Sequence, residues 1–243
     1  MTMAATPEEL AFVPYKRAAY LSPADTVVLA DIHVGRDRTS DIELGLGERT
    51  MLIEAVTALI ERFEPNEVVF AGDTLHSFSR VPVEVERTFE AIVEAATATG
   101  ATLTILRGNH DTQLSAVIDD ERSLQEGYRL ADGDTVVHHG HVAPERTADR
   151  YVIGHDHPAI EIEGQRRPCY LLAEDVYDDA DVLALPAFNP LIQGVAVNGT
   201  ARGDLQSPLL ERIGRFKPIV HDAGEDGAGT LTFPRLSSFR EFL

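Results

Sequence analysis

The chain has 243 residues, 44% hydrophobic and 25% charged, with a single cysteine and no tryptophan, which is globular composition with mass enough for a sizeable core. Cys169 alone excludes an intrachain disulfide and a multi-thiolate metal site. Forty carboxylates against 21 Lys and Arg give a formal charge of −19, which argues against a protein that coats DNA nonspecifically at low salt.

Residues 1–20 read as a short lead-in. Thr26 to Asp31 is a compact apolar run ending in an acid, the signature of a buried strand. Residues 48–63 place Leu52, Val56, Leu59, Ile60 and Phe63 at helical spacing. A second strand is expected over 67–71, closed by Gly72-Asp73. Residues 83–98 repeat the helical period with Val85, Phe89, Ile92, Val93 and Ala96, and Gly100 follows as a stop. Residues 102–106 read as a third strand, closed by Gly108-Asn109-His110-Asp111. Strand–helix–strand alternation of this kind indicates an α/β fold built on βαβ units.

After residue 126 the rhythm changes. Residues 128–130 and 134–137 bracket Ala131-Asp132-Gly133, a hairpin signal. Short strands are expected near 150–153, 158–162, 169–173 and 182–185. A Gly- and Asp-rich stretch at 222–229 opens a peripheral tail over 222–243. With no internal repeat or linker, residues 1–243 read as a single domain. Apolar runs fall short of the ~18 residues of a membrane span, and the opening MTMAATPEEL lacks a basic or apolar signal region. A soluble, cytoplasmic protein is expected, with no membrane partner. Only Lys16 and Lys217 among the cations are lysines. Acid excess spread along the chain fits a halophilic protein, since the screening length is only ~3 Å at 1 M salt.

Seven of nine histidines lie at or just after expected strand ends: His33, His110, His138, His139, His141, His155 and His157. On a strand, Asp31 and His33 at i and i+2 share one face, as do His155 and His157. Asp73 and Asn109 end two further strands, and ligands of open α/β sheets gather outside the carboxyl ends of the strands. Two carboxylates, one amide and four imidazoles form an oxygen and nitrogen set suited to Mn, with Fe or Zn as alternatives, rather than Ca. Seven ligands are too many for one tetrahedral ion and natural for two. Two divalent ions, two aspartates and a hydroxide leave a site near +1, suited to attack on an anionic phosphoester.

The ordered set Asp-x-His, Gly-Asp, Gly-Asn-His-Asp, His-Gly-His and Gly-His-x-His resembles the calcineurin-like metallophosphoesterase superfamily. Asp31-Ile32-His33-Val34-Gly35 and Gly72-Asp73-Thr74-Leu75-His76 look like its SbcD-type nuclease branch. The stretch Leu185 to Pro190, followed by Gly194, is similar to small archaeal and DNA-ligase-associated phosphoesterases. The resemblance implies a two-sheet sandwich flanked by helices (α/β/β/α). It also implies a dinuclear enzyme hydrolysing phosphodiesters through a metal-bridged hydroxide, as a DNA nuclease in repair acting on single-stranded or damaged DNA. The stretch after His157 is short for the capping and ATPase-binding regions of full-length SbcD nucleases, so no partner ATPase is implied. A small-nucleotide phosphodiesterase and a non-catalytic metal-stabilised scaffold are the alternatives.

By the same resemblance, Asp31, His33 and His157 would hold one metal, Asn109, His139 and His155 the other, and Asp73 would bridge. His110 would stabilise the transition state or protonate the leaving group, with Asp111 orienting it. His76 would contact substrate phosphate. His141 reads as either a phosphate contact or a loop residue. His138 and Asp156 read as facing away, His221 as a solvated tail residue, and Cys169 as a small buried apolar side chain.

Overall fold

The computed structural model describes residues 3–4, 10–39, 47–76, 80–118, 124–199, 205–222 and 229–239. In chain order the elements are β1 (Met3–Ala4), β2 (Val13–Tyr15), β3 (Ala18–Leu21), β4 (Thr26–Leu29), α1 (Glu48–Phe63), β5 (Glu67–Phe70), α2 (Val83–Thr97) and β6 (Thr102–Ile105). There follow β7 (Gly127–Arg129), β8 (Thr135–His138), β9 (Arg150–Ile153), β10 (Pro158–Ile162), β11 (Gln165–Pro168), β12 (Tyr170–Tyr177) and β13 (Ala180–Ala184). The last are β14 (Val195–Ala196), β15 (Lys217–Asp222), β16 (Gly229–Thr232) and α3 (Leu236–Phe239).

Two sheets form the centre. One has the order β2-β3-β4-β5-β6, and the other β1-β16-β15-β12-β13-β9-β8-β7; a small sheet β11-β10-β14 stands beside them. Strands β4, β5 and β6 are parallel, as are β8, β9 and β13. The alternation of strand side chains sorts the core into layers. Val27, Leu29, Val68 and Phe70 face α1 and α2 and pack with Leu52, Val56, Phe89 and Ile92. Their neighbours Val28, Ala30, Val69 and Ala71 face the other way, against Val137, Val152, Leu183 and Leu185 of the second sheet. The far side of that sheet packs Val136, Ile153, Val182 and Ala184 under Ile160, Leu209, Phe216 and Leu236. The architecture is therefore the expected mixed α/β sandwich, with the helices α1 and α2 over the first sheet. The layer over the second sheet combines the small sheet, 3-10 turns and the single turn α3.

Two expectations are corrected. The stretch 1–20, read as lead-in, contains all but the last residue of the β2–β3 hairpin, which extends the first sheet through Ala19↔Val28. The turn Lys16-Arg17 carries no Gly, Asn or Pro, so no turn signal marked it. The end of the chain is likewise not all periphery: β16 pairs with β15, and Phe233 and Leu236 are buried. His221 lies on β15, with its Nδ1 3.1 Å from Thr230 Oγ1, rather than in a solvated tail. Cys169 is fully buried as expected. Among the described residues no helix is long and apolar enough to cross a membrane.

Candidate metal centre

Parallel strands β4, β5, β6, β8 and β9 all end at one edge of the sandwich, and the chemistry-bearing side chains stand in the loops beyond them. Those loops are not extended, so the shared-face argument for the i, i+2 pairs does not hold. Asp31 and His33 have φ of 57° and 43°, Asp73 49°, and His155 and His157 75° and 46°. Left-handed backbone is disfavoured for side chains with a Cβ and persists where surroundings fix it. Here Asp31 N–H donates to Gly72 O at 3.1 Å, His33 N–H to Asp73 O at 2.9 Å, and Gly154 N–H to His139 O at 3.0 Å. The loops also need close approach. A Cβ on Gly108 would overlap the Asp73 carboxylate and backbone nitrogen, and one on Gly154 would sit 2.7 Å from Asp31 Oδ2.

The result is two clusters, Asp31/His33/His157 and Asp73/His139/His155, with the ligand atoms of each within 4.8 Å of one another. His157 Nε2 lies 3.2 Å from Asp31 Oδ1 and 3.4 Å from His33 Nε2. Ligand atoms around an ion at ~2.1 Å stand roughly 3.0–3.4 Å apart, so these separations fit a coordination shell. His139 Nε2 is 3.3 Å from Asp73 Oδ2 and 3.1 Å from Asn109 Oδ1. Its Nδ1 lies 2.9 Å from the Ala71 carbonyl, a bond in which Nδ1–H donates and Nε2 is left for a ligand role. Asp73 Oδ2 also stands 3.7 Å from His33 Nε2, so one carboxylate oxygen faces both clusters.

Burial sets the electrostatics. It would raise the Asp31 carboxyl, but the paired His157 outweighs it and holds Asp31 below its ordinary value. Asp73 is likewise opposed by burial and held well below the carboxylate range by His139. Burial would lower His139, yet its hydrogen bond to Asp73 and the charges of Asp31 and Asp73 push it up to about 9. Burial takes His33 down to about 4. Without an ion, two carboxylates are balanced there by histidine protons, and a divalent ion taken up by this donor set would displace those protons.

The remaining expected residues divide. The His110 backbone N–H donates to Asp73 Oδ1 at 2.8 Å, and its ring centre is 5.4 Å from that of His33, at the mouth of the clusters. The His76 ring lies 5.6 Å from His33, with Arg36 Nη1 3.4 Å from its Nε2. The His141 ring is 5.3 Å from His139 and 6.0 Å from His155. Asp111 does not orient His110. Its carboxylate accepts from Leu75 N–H at 3.0 Å and Gly108 N–H at 2.9 Å, so it braces the loops that carry Asp73 and Asn109. His138 faces away and accepts from Gly140 N–H, as expected. Asp156 also turns away, accepting from Gln206 and Ser207 N–H at 2.8 and 2.9 Å, a distant segment rather than a local one.

Sequence reasoning missed the clamp behind the first loop. Asn189 Nδ2 donates to Glu48 Oε1 at 2.7 Å, and the same carboxylate accepts from Gly35 and Arg36 N–H at 2.8 and 2.9 Å. Asn189 belongs to the Leu185 to Pro190 stretch, where an amide set among apolar residues and prolines was the available signal.

The fold is similar to that of the Pseudomonas putida nuclease MPE, at 20% identity and a TM-score of 0.58 over 90% of this chain and 96% of that one. YfcE, a phosphoesterase from E. coli, aligns at 17% identity over 72% of this chain and 83% of that one, with a TM-score of 0.41. No curated protein matches the sequence. The family model of the calcineurin-like phosphoesterases matches residues 25–201, the span that contains both clusters. The chain therefore belongs to the calcineurin-like phosphoesterase family, whose members are metal-dependent phosphoester hydrolases.

Proposed function

We propose that this chain, folded as a single domain, is a dinuclear phosphodiesterase that cleaves DNA in repair, in a high-salt cytoplasm. The observation that carries the dinuclear reading is Asp73 Oδ2, placed 3.7 Å from His33 Nε2 in one cluster and 3.3 Å from His139 Nε2 in the other. Asp31, His33 and His157 would hold one ion, Asn109, His139 and His155 the second, and Asp73 would span them; Mn is the expected metal. Such ions supply Lewis-acid charge and activate water for attack on phosphorus.

The chain's own groups do the rest. The bond from its backbone to Asp73 fixes His110 at the mouth, where its imidazole can stabilise or protonate a leaving alkoxide. His76 beside Arg36 on one side, and His141 beside the second cluster on the other, offer donors to non-reacting phosphate oxygens. The motif resemblance to SbcD-type enzymes and the fold likeness to a nuclease support DNA as substrate.

The test is Mn²⁺-dependent cleavage of an end-labelled single-stranded oligonucleotide in high KCl, with His110→Ala as comparison. Wild type is expected to cut, and the variant to keep its metal and lose activity by a factor of ~10²–10⁴. Undiminished cutting by the variant would overturn the role of His110. Hydrolysis of bis-p-nitrophenyl phosphate without any oligonucleotide cleavage would replace DNA by a small nucleotide as substrate.

A further inference from the structure

Beside the candidate metal centre lies a cavity of about 290 Å³ bounded by three cations, Lys16 and Arg17 from the β2–β3 turn and Arg167 at the end of β11, with His221 on β15, Tyr170 and Pro186 among its other walls. None of the described residues lining it is acidic. In a chain of formal charge −19 with two lysines, that is a concentrated exception. Among the described residues no carboxylate pairs with Lys16 or Arg17. Lys16 Nζ lies 5.9 Å from the centre of the Tyr15 ring, and Arg17 Nη1 donates to the carbonyls of Asn189 and Ala187 at 3.1 and 3.4 Å. The two cations occupy the centre of a tight hairpin turn at φ 48° and 66°, backbone for which Asn-Gly is the usual choice.

The topology places this cavity along the same edge as the metal centre. Strand β3 runs antiparallel to β4 with Ala19 opposite Val28, so the Lys16-Arg17 turn lies level with the loop of Asp31 and His33. In the second sheet Leu171 stands opposite Ala184 and Tyr170 opposite Ile219. Pro168, Pro186 and Val220 thus end at the edge where β9 leads into His155. Two strand spacings separate β4 from β2 and β9 from β12, which sets the cavity about 10 Å from the clusters. At ~3.4 Å or more per nucleotide along a strand, that is two to three nucleotides.

We propose that the basic cavity grips a backbone phosphate of a polynucleotide whose reacting diester lies at the metal centre. The inference rests on the phosphodiesterase reading and adds to it a grip on polymer, reached by a strand laid along the cleft. Acidic surface elsewhere repels phosphate, so the cavity fixes the direction in which the strand leaves the site.

The test is fluorescence anisotropy of a labelled oligothymidylate with the full Mn²⁺-loaded chain, titrated across KCl concentrations, for the wild-type cavity and Lys16→Gln/Arg167→Gln, both in a His110→Ala background that suppresses cleavage. Both side chains are exposed, and the thermal midpoint verifies the fold; Arg17 is kept because its carbonyl bonds brace 187–189. The double variant is expected to bind more weakly, with a slope of log K against log[KCl] shallower by about 1.4, ~0.7 for each phosphate charge that is no longer neutralised. Lys16→Gln alone is expected to show half that change. Equal affinity and slope in variant and wild-type cavity would overturn the proposal. So would equal affinity for oligothymidylate and for a dinucleotide without terminal phosphates, whose single diester at the metal centre leaves no second phosphate for the cavity. Wild-type hydrolysis of bis-p-nitrophenyl phosphate with Mn²⁺, assayed in parallel, separates the two readings. Turnover without oligonucleotide binding removes the cavity and leaves the phosphodiesterase. Cavity-dependent binding without turnover of any diester does the reverse.

Discussion

Asn189 Nδ2 donates to the carbonyl of Ile32 at 2.9 Å, a bond between residues 157 positions apart. The amide thereby holds the loop between Asp31 and His33, and through Glu48 it also holds Gly35 and Arg36. Asn189→Ala leaves a buried carbonyl and a buried carboxylate short of a donor, which should lower stability by about 1–3 kcal/mol. Misplacing the first cluster should also weaken metal binding about 10–100-fold, the scale for residues that position ligands. Thermal unfolding in EDTA and Mn²⁺ titration check the two effects separately. Full metal affinity in the variant would show that the clamp serves the fold only.

Gly108 lies against Asp73 so closely that a methyl group cannot be accommodated without moving the carboxylate. Gly108→Ala should therefore abolish tight metal binding at the cluster that shares Asp73. Gly229→Ala, where nothing lies within 4 Å and the backbone is ordinary, is the matched comparison and should bind like wild type. Metal analysis after gel filtration decides. Two retained ions in the Gly108 variant would contradict the placement of Asp73.

Metal binding should release protons near neutral pH. In the metal-free protein burial disfavours the His139 cation, but Asp73 and Asp31 hold its pKa up at about 9; for His157 too, burial is outweighed by Asp31 and the ring stays above its ordinary value. A ligating imidazole must be neutral. Below about pH 9 an ion therefore expels the His139 proton, and affinity should climb with pH and level off above that value. Calorimetric titration in buffers of different ionisation enthalpy measures the release. Enthalpies that do not depend on the buffer would refute it.

The charge of −19 makes a prediction about salt. Screening shortens to ~3 Å at 1 M, so self-repulsion fades and the thermal midpoint should rise from dilute to molar KCl. Equal midpoints would remove the high-salt reading.

Helix α1 was legible over 48–63 because its apolar residues keep one period without interruption. The clusters were legible because each ligand stands at a strand end, where chain order alone announces convergence. Their backbone was not legible: nothing in Asp-x-His distinguishes the face of a strand from a left-handed loop. Asp111 was misread because adjacency in sequence does not set direction, and its carboxylate turned to the N–H groups of Leu75 and Gly108. The β2–β3 hairpin hid behind a turn of two cations, and Asn189 behind its long separation from the loop it holds.

Each cluster draws on both layers of the sandwich. Asp31 and His33 follow a strand of the first sheet and His157 one of the second; Asp73 comes from the first, His139 and His155 from the second. Bound ions would then act as rivets between the sheets and resist shear across the apolar interface of Val28, Val69, Val137 and Val152. Chelation would loosen the whole molecule rather than one loop, so the reactive centre and the mechanical stiffness of the fold rise and fall together.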